Sequence, residues 1–350
     1  MIFGSDNMAP VCPEAMTAIA RANEGYVSSY GADDAMQRVT AQIRSVFEAP
    51  DAAVYLVATG TAANSLALAV YTAPWQTVFC YEKSHIAIDE CGAPEFYTNG
   101  AKLANLGGAD GKITPEVFKA QLASYRKGDV HQVQMGSLSL TNVTEAGSVY
   151  TLDEIRTLTA IAKENGIACH LDGARFANAM VALGGTPADM TWKAGIDVVS
   201  FGGTKNGLMG VEAVVLFDPE KAWEFELRRK RAGHLFSKHR FLSAQMEAYL
   251  TDDLWIRLAT QANAAGARLE EKLSPIEGFR TLYTRDANLM YCGWHRAGHE
   301  RAKAAGAYYY DEPGGHPDSG PADEFLNARL VCNWSTTDAE IDRFAALVRG

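Results

Sequence analysis

Between residues 50 and 220, short apolar runs alternate with helical patterns. The runs are Ala53–Val57, Thr77–Tyr81, Val130–Ser139, Ile167–Leu171, Ile196–Phe201 and Val211–Phe217, and they are nearly continuous in Val, Leu, Ile and Phe. A strand with one face in water alternates apolar with polar, whereas a strand covered on both faces needs apolar side chains on both. The pattern predicts an α/β fold in which a sheet lies between helical layers.

Helix signals fall between the runs. Thr114-Pro115-Glu116 offers an N-cap, a proline at the first helical position and an early acid. Thr151-Leu152-Asp153-Glu154 has the form of a capping box, Gly166 closes that helix, and Thr337 to Glu340 repeats the box before a last helix with Ile341, Phe344, Ala345 and Val348 on one face. From about 219 to 273 strand signals give way to long helical periodicity. After Pro275 the pattern becomes α+β, with Ala287–Trp294, a short helix around Glu300–Ala305 and Ala328–Trp334, while Pro313–Pro321 reads as a loop. The expected organisation is a large domain over residues 1–240, followed by a linking helix and a small carboxy-terminal domain over 241–350.

Composition narrows the partners. The 350 residues are 47% hydrophobic and 21% charged, as in a globular chain of more than one core. A net charge of -10 argues against nucleic acid, which is bound through lysine- and arginine-rich faces. No apolar stretch approaches the roughly 20 residues that cross a bilayer, and no signal peptide is expected, so the location predicted is cytoplasmic. Cys12, Cys80, Cys91, Cys169, Cys292 and Cys332 are scattered without a C-x-x-C pair, as free thiols of a reducing compartment would be.

Four segments carry chemistry. In Ser200-Phe201-Gly202-Gly203-Thr204-Lys205-Asn206-Gly207, a lysine follows a strand and two glycines, which let a ligand approach the backbone. Partly desolvated, Lys205 can lose its proton and attack an aldehyde, and Thr204 can hydrogen-bond a phosphate. In His170-Leu171-Asp172-Gly173-Ala174-Arg175, Asp172 ends another buried strand and would face the same crevice as Lys205. A carboxylate there can keep the pyridinium nitrogen of pyridoxal phosphate protonated. It would serve equally as a helix N-cap, and the two roles are compatible. In Ala58-Thr59-Gly60-Thr61-Ala62-Ala63-Asn64, a strand passes into a helix whose free amides at Gly60 and Thr61 form an anion site. This loop is neither a Walker A loop nor G-x-G-x-x-G. His85, just past the strand Thr77–Tyr81, can stack on a cofactor ring and move protons near neutral pH.

Together these segments resemble fold-type I pyridoxal-phosphate enzymes, and the whole set of motifs closely resembles the low-specificity L-threonine aldolases. The runs that carry the resemblance are Gly4-Ser5-Asp6-Asn7, Tyr30-Gly31, Gly60 to Asn64, Ser84-His85 with Asp89-Glu90-Cys91-Gly92, Leu171 to Ala179 and Gly203 to Gly207. Arg229 to Leu235 and Thr251 to Trp255 belong to the same set. The likeness runs to about residue 270 and returns at Ala328–Trp334; Arg296 to Phe325 departs from it.

The resemblance implies a large domain with a mainly parallel seven-stranded sheet, a small α+β domain, and a homotetramer of tight dimers with active sites at subunit interfaces. It implies that Lys205 holds pyridoxal 5'-phosphate, that Asp172 contacts the ring nitrogen, and that His85 stacks on the ring. Ser5, Arg175 and Arg329 would surround the substrate carboxylate, with Arg329 alternatively a surface arginine at a strand start. Arg175 would also stand near the cofactor. The basic cluster Arg228-Arg229-Lys230-Arg231 is either a solvated helix face or supplies Lys230 or Arg231 to a neighbour's cofactor phosphate, with Arg231 the residue assigned there.

The activity implied is retro-aldol cleavage of L-threonine, L-allo-threonine and other β-hydroxy amino acids to glycine and an aldehyde. The base at the β-hydroxyl is His85 or a bound water, because Leu140-Thr141-Asn142-Val143-Thr144-Glu145 stands where shorter family members carry a histidine. Competing activities on the same fold are phenylserine aldolase, β-eliminating lyase and aminotransferase. A nucleotide-binding dehydrogenase is disfavoured by the missing glycine fingerprint, and a catalytically inert module by the intact Lys205 and Asp172. No metal site is expected: His299, His316, Asp311, Glu312 and Asp318 have no ligand-like spacing.

Overall fold

The computed structural model describes residues 1–311 and 319–350. Its main sheet consists of β1 (Ala53–Val57), β2 (Gln76–Tyr81), β3 (Lys102–Leu106), β4 (Gln134–Thr141), β5 (Ala168–Gly173), β6 (Val198–Gly202) and β7 (Glu212–Leu216), in the order β1-β7-β6-β5-β4-β2-β3. Strands β3, β2, β4, β5 and β6 pair in parallel, and β7 runs antiparallel to both β6 and β1. The carboxyl ends of every strand except β7 therefore lie on one edge.

Both faces of this sheet are covered, which accounts for its continuous apolar runs. Along β1, Val54 and Leu56 enter one core while Tyr55 and Val57 enter another, as side chains alternate across a strand. The first face carries α1 (Pro13–Ala22) and α2 (Asp34–Val46), and the second carries α3 (Gly60–Tyr71). Next in the chain, α4 (Pro115–Ala123), α5 (Leu152–Glu164) and α6 (Phe176–Leu183) add to the first core, and α7 (Ala222–Arg231) adds Phe225 to the second. Thr114 caps α4 by accepting the Val117 N–H at 3.3 Å, Thr151 and Glu154 form the expected box on α5, and Gly166 leaves that helix at φ +72°.

Two strand assignments change. Val130–Ser139 begins as a strand only at Gln134, because Asp129 accepts the His131 N–H at 2.9 Å and closes a turn, leaving Val130 exposed. The edge strand β3 was not foreseen, since Lys102 and Asn105 face solvent and break the apolar run.

Leu242, Met246, Tyr249 and Leu250 of α8 (Arg240–Leu250) pack into the large core, and α9 (Leu254–Leu273) gives its first turns to that core and Ala265, Leu269 and Leu273 to the small one. The small sheet, β8 (Arg280–Thr281), β9 (Leu289–His295), β10 (Tyr310–Asp311) and β11 (Phe325–Val331), is antiparallel in the order β8-β9-β11-β10. It is covered by α10 (Arg296–Ala304) and by α11 (Asp338–Arg349), the latter capped by Thr337 and Glu340 as expected. Phe3, at the other end of the chain, completes this core: its N–H donates to the Tyr308 carbonyl at 2.7 Å and its carbonyl accepts the Val331 N–H at 2.8 Å. The amino terminus thus straps the small domain to the large one.

Candidate active site

Strand β6 delivers Lys205. Its penultimate residue, Phe201, sits fully buried with ring centroids 5.4–5.6 Å from those of Phe176, Phe47 and Trp255, which fixes the strand end. A Cβ on Gly202 would lie 2.4 Å from the Ala174 carbonyl oxygen, so glycine is what lets β6 exit against the loop after β5. The following turn, Thr204–Asn206, is held by Asn206, whose Nδ2 donates to the Tyr249 hydroxyl at 2.7 Å and the Trp255 carbonyl at 2.8 Å. Buried Glu212 of β7 accepts the Gly203 N–H at 2.7 Å and is also hydrogen-bonded by the Thr204 hydroxyl; burial pushes its carboxyl up to about 7. Lys205 itself is half-buried and makes no hydrogen bond or ion pair with the described residues, so its amine is free to react.

Strand β5 ends at Asp172, a residue 2% exposed. Asp172 Oδ1 accepts the Ala174 N–H at 3.0 Å and Oδ2 accepts Asn64 Nδ2 at 2.9 Å. Asn64 reaches it from the second turn of α3 and also donates to Glu90 Oε1 at 3.0 Å. Glu90 Oε1 in turn lies 2.8 Å from His85 Nδ1. One hydrogen-bonded line, Asp172–Asn64–Glu90–His85, therefore joins the ends of β5 and β2 through α3. Below it, His170 lies between Ser139 and Ser200 at 2.9 and 3.1 Å, and burial lowers its pKa to about 4, so it spans the sheet as a neutral ring.

The start of α3 is an open anion cradle. Thr59 caps the helix by accepting the Ala62 N–H at 3.2 Å, which leaves the N–H groups of Gly60 and Thr61 without an acceptor among the described residues. A Cβ on Gly60 would meet nothing within 4 Å.

The fourth part is cationic. Ser5 starts a short turn by accepting the Asn7 N–H, and Asp6 beyond it holds Arg175 in two hydrogen bonds of 2.7 and 3.0 Å. Arg175, expected at a substrate carboxylate, thus has its fork committed to Asp6. The side chain of Arg329 on β11 makes no hydrogen bond with the described residues and holds its guanidinium 5.5 Å from the Tyr310 ring centre. Burial and the nearby Arg175 charge both lower its pKa, so an anion there is favoured. Glu145, from the loop after β4, accepts the His85 backbone N–H at 3.2 Å.

Arg231 is elsewhere in its own chain, exposed in a groove with Leu66, Phe96 and Tyr97. Its neighbour Arg229 is the unusual member of the basic cluster: it is buried over the Tyr55 ring, Nε and Nη2 have no partner among the described residues, and burial lowers its pKa to about 10. A second, broader groove between α1, α2 and α8, lined by Arg21, Arg38, Arg240 and Glu247, contains none of the site residues. Of the acids and histidines around α10, His299 is enclosed by the Tyr309 hydroxyl, the Leu326 carbonyl and the stacked Trp294 ring, and Asp311 pairs with Lys303 at 2.8 Å. Glu312, His316 and Asp318 lie outside the described residues.

Of the residues expected at the site, Lys205, Asp172, His85, Gly60 and Thr61 follow or end strands on one edge of the main sheet, and Arg329 lies within electrostatic reach of Arg175, Asp6 and Glu145. Asn64, Glu90 and Glu212 join the site only in the folded chain, although Asn64 and Glu90 lie within the runs Gly60 to Asn64 and Asp89-Glu90-Cys91-Gly92. No local signal distinguishes a carboxylate that faces a histidine from one that faces water.

A free lysine, a strand-end carboxylate and unfilled helix-end amides on one sheet edge fit an aldehyde cofactor bearing a ring nitrogen and a phosphate, the arrangement of fold-type I pyridoxal-phosphate enzymes. The chain belongs to the beta-eliminating lyase family, whose profile matches residues 3–291, and to the threonine aldolases within it. It is 40% identical over 347 residues to the low specificity L-threonine aldolase of a Pseudomonas strain, covering 99% of this chain and 96% of that one. The Pseudomonas aeruginosa low specificity L-threonine aldolase is 39% identical over the same coverage. Leishmania major threonine aldolase superposes with a TM-score of 0.90 at 26% identity, covering 99% of this chain and 98% of that one. The family is pyridoxal-phosphate dependent.

Proposed function

We propose that this protein is a lyase that cleaves L-threonine and related β-hydroxy amino acids to glycine and an aldehyde. The observation that carries this reading is the full-length likeness at 40% identity to a low specificity L-threonine aldolase, joined to a sheet edge that presents Lys205 and Asp172 together. Lys205 would hold pyridoxal 5'-phosphate, Gly60 and Thr61 its phosphate, Asp172 its ring nitrogen, and His85 its face, while the Thr204 hydroxyl, expected at the phosphate, is committed to Glu212 and to the Val211 N–H. Bound there, the cofactor supplies a sink for the electron pair left when the Cα–Cβ bond breaks.

The chain's own residues supply orientation and proton transfer. Arg329, with Ser5 beside it, takes the substrate carboxylate in a planar fork and so sets which bond at Cα stands across the ring. Arg175 supports this by holding Asp6, and through it Ser5, in place. His85 takes the β-hydroxyl proton as the aldehyde carbonyl forms. One proton must then return to Cα to give glycine, and substrate leaves as two products with no oxidant consumed.

The working assembly is a homotetramer of dimers with composite sites. Tyr26, Val27 and Tyr30 are exposed, as is Phe236, and the two segments are joined by the Tyr30 N–H to the Ser237 carbonyl at 3.1 Å. Such a patch is more apolar than a solvated surface requires. Arg231, exposed beside Leu66, Phe96 and Tyr97, is the residue assigned to a neighbour's phosphate. No helix among the described residues is long and apolar enough to cross a membrane, and the six cysteines are free, which supports a cytoplasmic location.

The test is acetaldehyde release by the cofactor-loaded enzyme from L-threonine, L-allo-threonine, their D forms and phenylserine. Borohydride should fix the cofactor on the Lys205 peptide. Release from none of the β-hydroxy amino acids, or a label on another lysine, would refute the reading.

A further inference from the structure

We infer that Glu90 is the positioning residue that keeps the proton of His85 on Nδ1, and that Asn64 keeps Glu90 ionised by standing between it and Asp172. The inference rests on the aldolase reading only for what His85 then does.

Glu90 has a fully buried carboxylate whose Oε1 is 2.8 Å from His85 Nδ1, while the His85 side chain is one-third exposed. An ionised carboxylate only accepts hydrogen bonds, so Nδ1 must carry the proton and Nε2, the ring's other nitrogen, keeps its lone pair. That ionisation has a cost. Glu90 is buried near a second carboxylate, Asp172, and both effects push its carboxyl up. A single Asn64 amide offsets it, giving one hydrogen bond to Glu90 at 3.0 Å and one to Asp172 at 2.9 Å. Its NH2 must face the two acids, since the amide oxygen in that place would meet two acceptors.

Glu90 and Asp172 thus share one donor group and can be charged together. The hydrogen bond to Glu90 raises the pKa of His85 against the opposing effect of burial, so Nε2 binds a proton more strongly than a free imidazole does. The titratable groups facing His85 are Glu90, Glu145 from the loop after β4, Lys205 after β6 and Asp172 at the end of β5. Lys205 opposes protonation and the three acids favour it. Glu90 is the one of these acids hydrogen-bonded to the ring.

Two readouts test this on the holoenzyme. Ring-nitrogen shifts in the solid-state NMR spectrum of 15N-histidine-labelled protein at pH 8, assigned by loss of a signal in His85→Asn, should show a protonated Nδ1 and a bare Nε2. Asn64→Ala should move that ring to the Nε2–H form, because Glu90 then takes a proton of its own. In Glu90→Gln the acid limb of kcat/KM for L-threonine should move down by about one pH unit, as a neutral partner no longer supports the imidazolium. A wild-type ring protonated on Nε2 would overturn the inference without any variant having to fold. So would a Glu90→Gln acid limb superimposable on wild type. Absence of any threonine cleavage would instead defeat the aldolase reading, and the nitrogen spectrum would still decide the role of Glu90.

Discussion

Replacing Asp6 by Asn tests how the amino-terminal strap holds the site. The Asp6–Arg175 pair is buried at both ends, with side chains 1% and 4% exposed, and it makes two short hydrogen bonds. Asparagine is nearly isosteric but keeps only one acceptor, and its NH2 would face a guanidinium donor or Asn288, which now donates to Asp6 at 3.3 Å. Removing one partner of a buried pair strands the other as an uncompensated charge, at a cost of about 3–5 kcal/mol. Burial raises the Asp6 carboxyl, but the Arg175 and Lys205 charges together with the hydrogen bonds outweigh it and hold the pKa below the ordinary 3.8. A lowered folded pKa contributes stability that is complete above the unfolded value and lost as pH falls through the folded one. The gap between wild type and Asp6→Asn should therefore be full at pH 7 and close in acid below about 4. Urea unfolding of the cofactor-free protein at the two pH values measures it, with Arg175→Met and the double variant completing a cycle. KM for L-threonine should rise as well, since Ser5 loses its anchored neighbour. A loss under about 1 kcal/mol at pH 7, or additive single variants, would refute the reasoning, because a pair that matters must show coupling.

Three further outcomes follow from the site. Asp172→Asn should retain cofactor and lose about 10²–10³-fold in kcat, the cost of one preorganised electrostatic contact; turnover within a few-fold of wild type would remove its role at the ring nitrogen. Arg329→Ala should raise KM about ten- to a hundred-fold, from about 1.5–3 kcal/mol of charge-assisted hydrogen bonding, and unchanged kinetics would remove it from the substrate carboxylate. Glu212, raised by burial from 4.5 to about 7, contributes stability that is complete below 4.5 and lost as pH rises through 7, about 3 kcal/mol in all. Unfolding midpoints at pH 5 and pH 8 should show wild type losing ground to Glu212→Gln on the alkaline side, and parallel profiles would contradict this.

Much of this protein was settled by interactions between residues close in the chain. Apolar runs long enough for a strand, Thr114 and Thr151 three positions before the amides they cap, and Gly166 in a positive-φ turn are local free energies, so they could be read directly from residue order. The same holds for Lys205 after Gly202-Gly203 and for Gly60-Thr61 at a helix start, each a strand end and its exit turn. Other features required the folded chain. Asn64 meets Glu90 and Asp172 across 26 and 108 positions, Arg175 meets Asp6 across 169, and Phe3 fills a core built from the opposite end of the sequence. The antiparallel run of β7, the late start of β4 at Gln134 and Arg231 facing away from its own site are of the same kind. A buried polar group must find its partner wherever the fold places one, because leaving it unpaired costs more than most local preferences are worth. That choice is made by position in space, and only the tertiary structure decided which carboxylate faces the histidine and which the arginine.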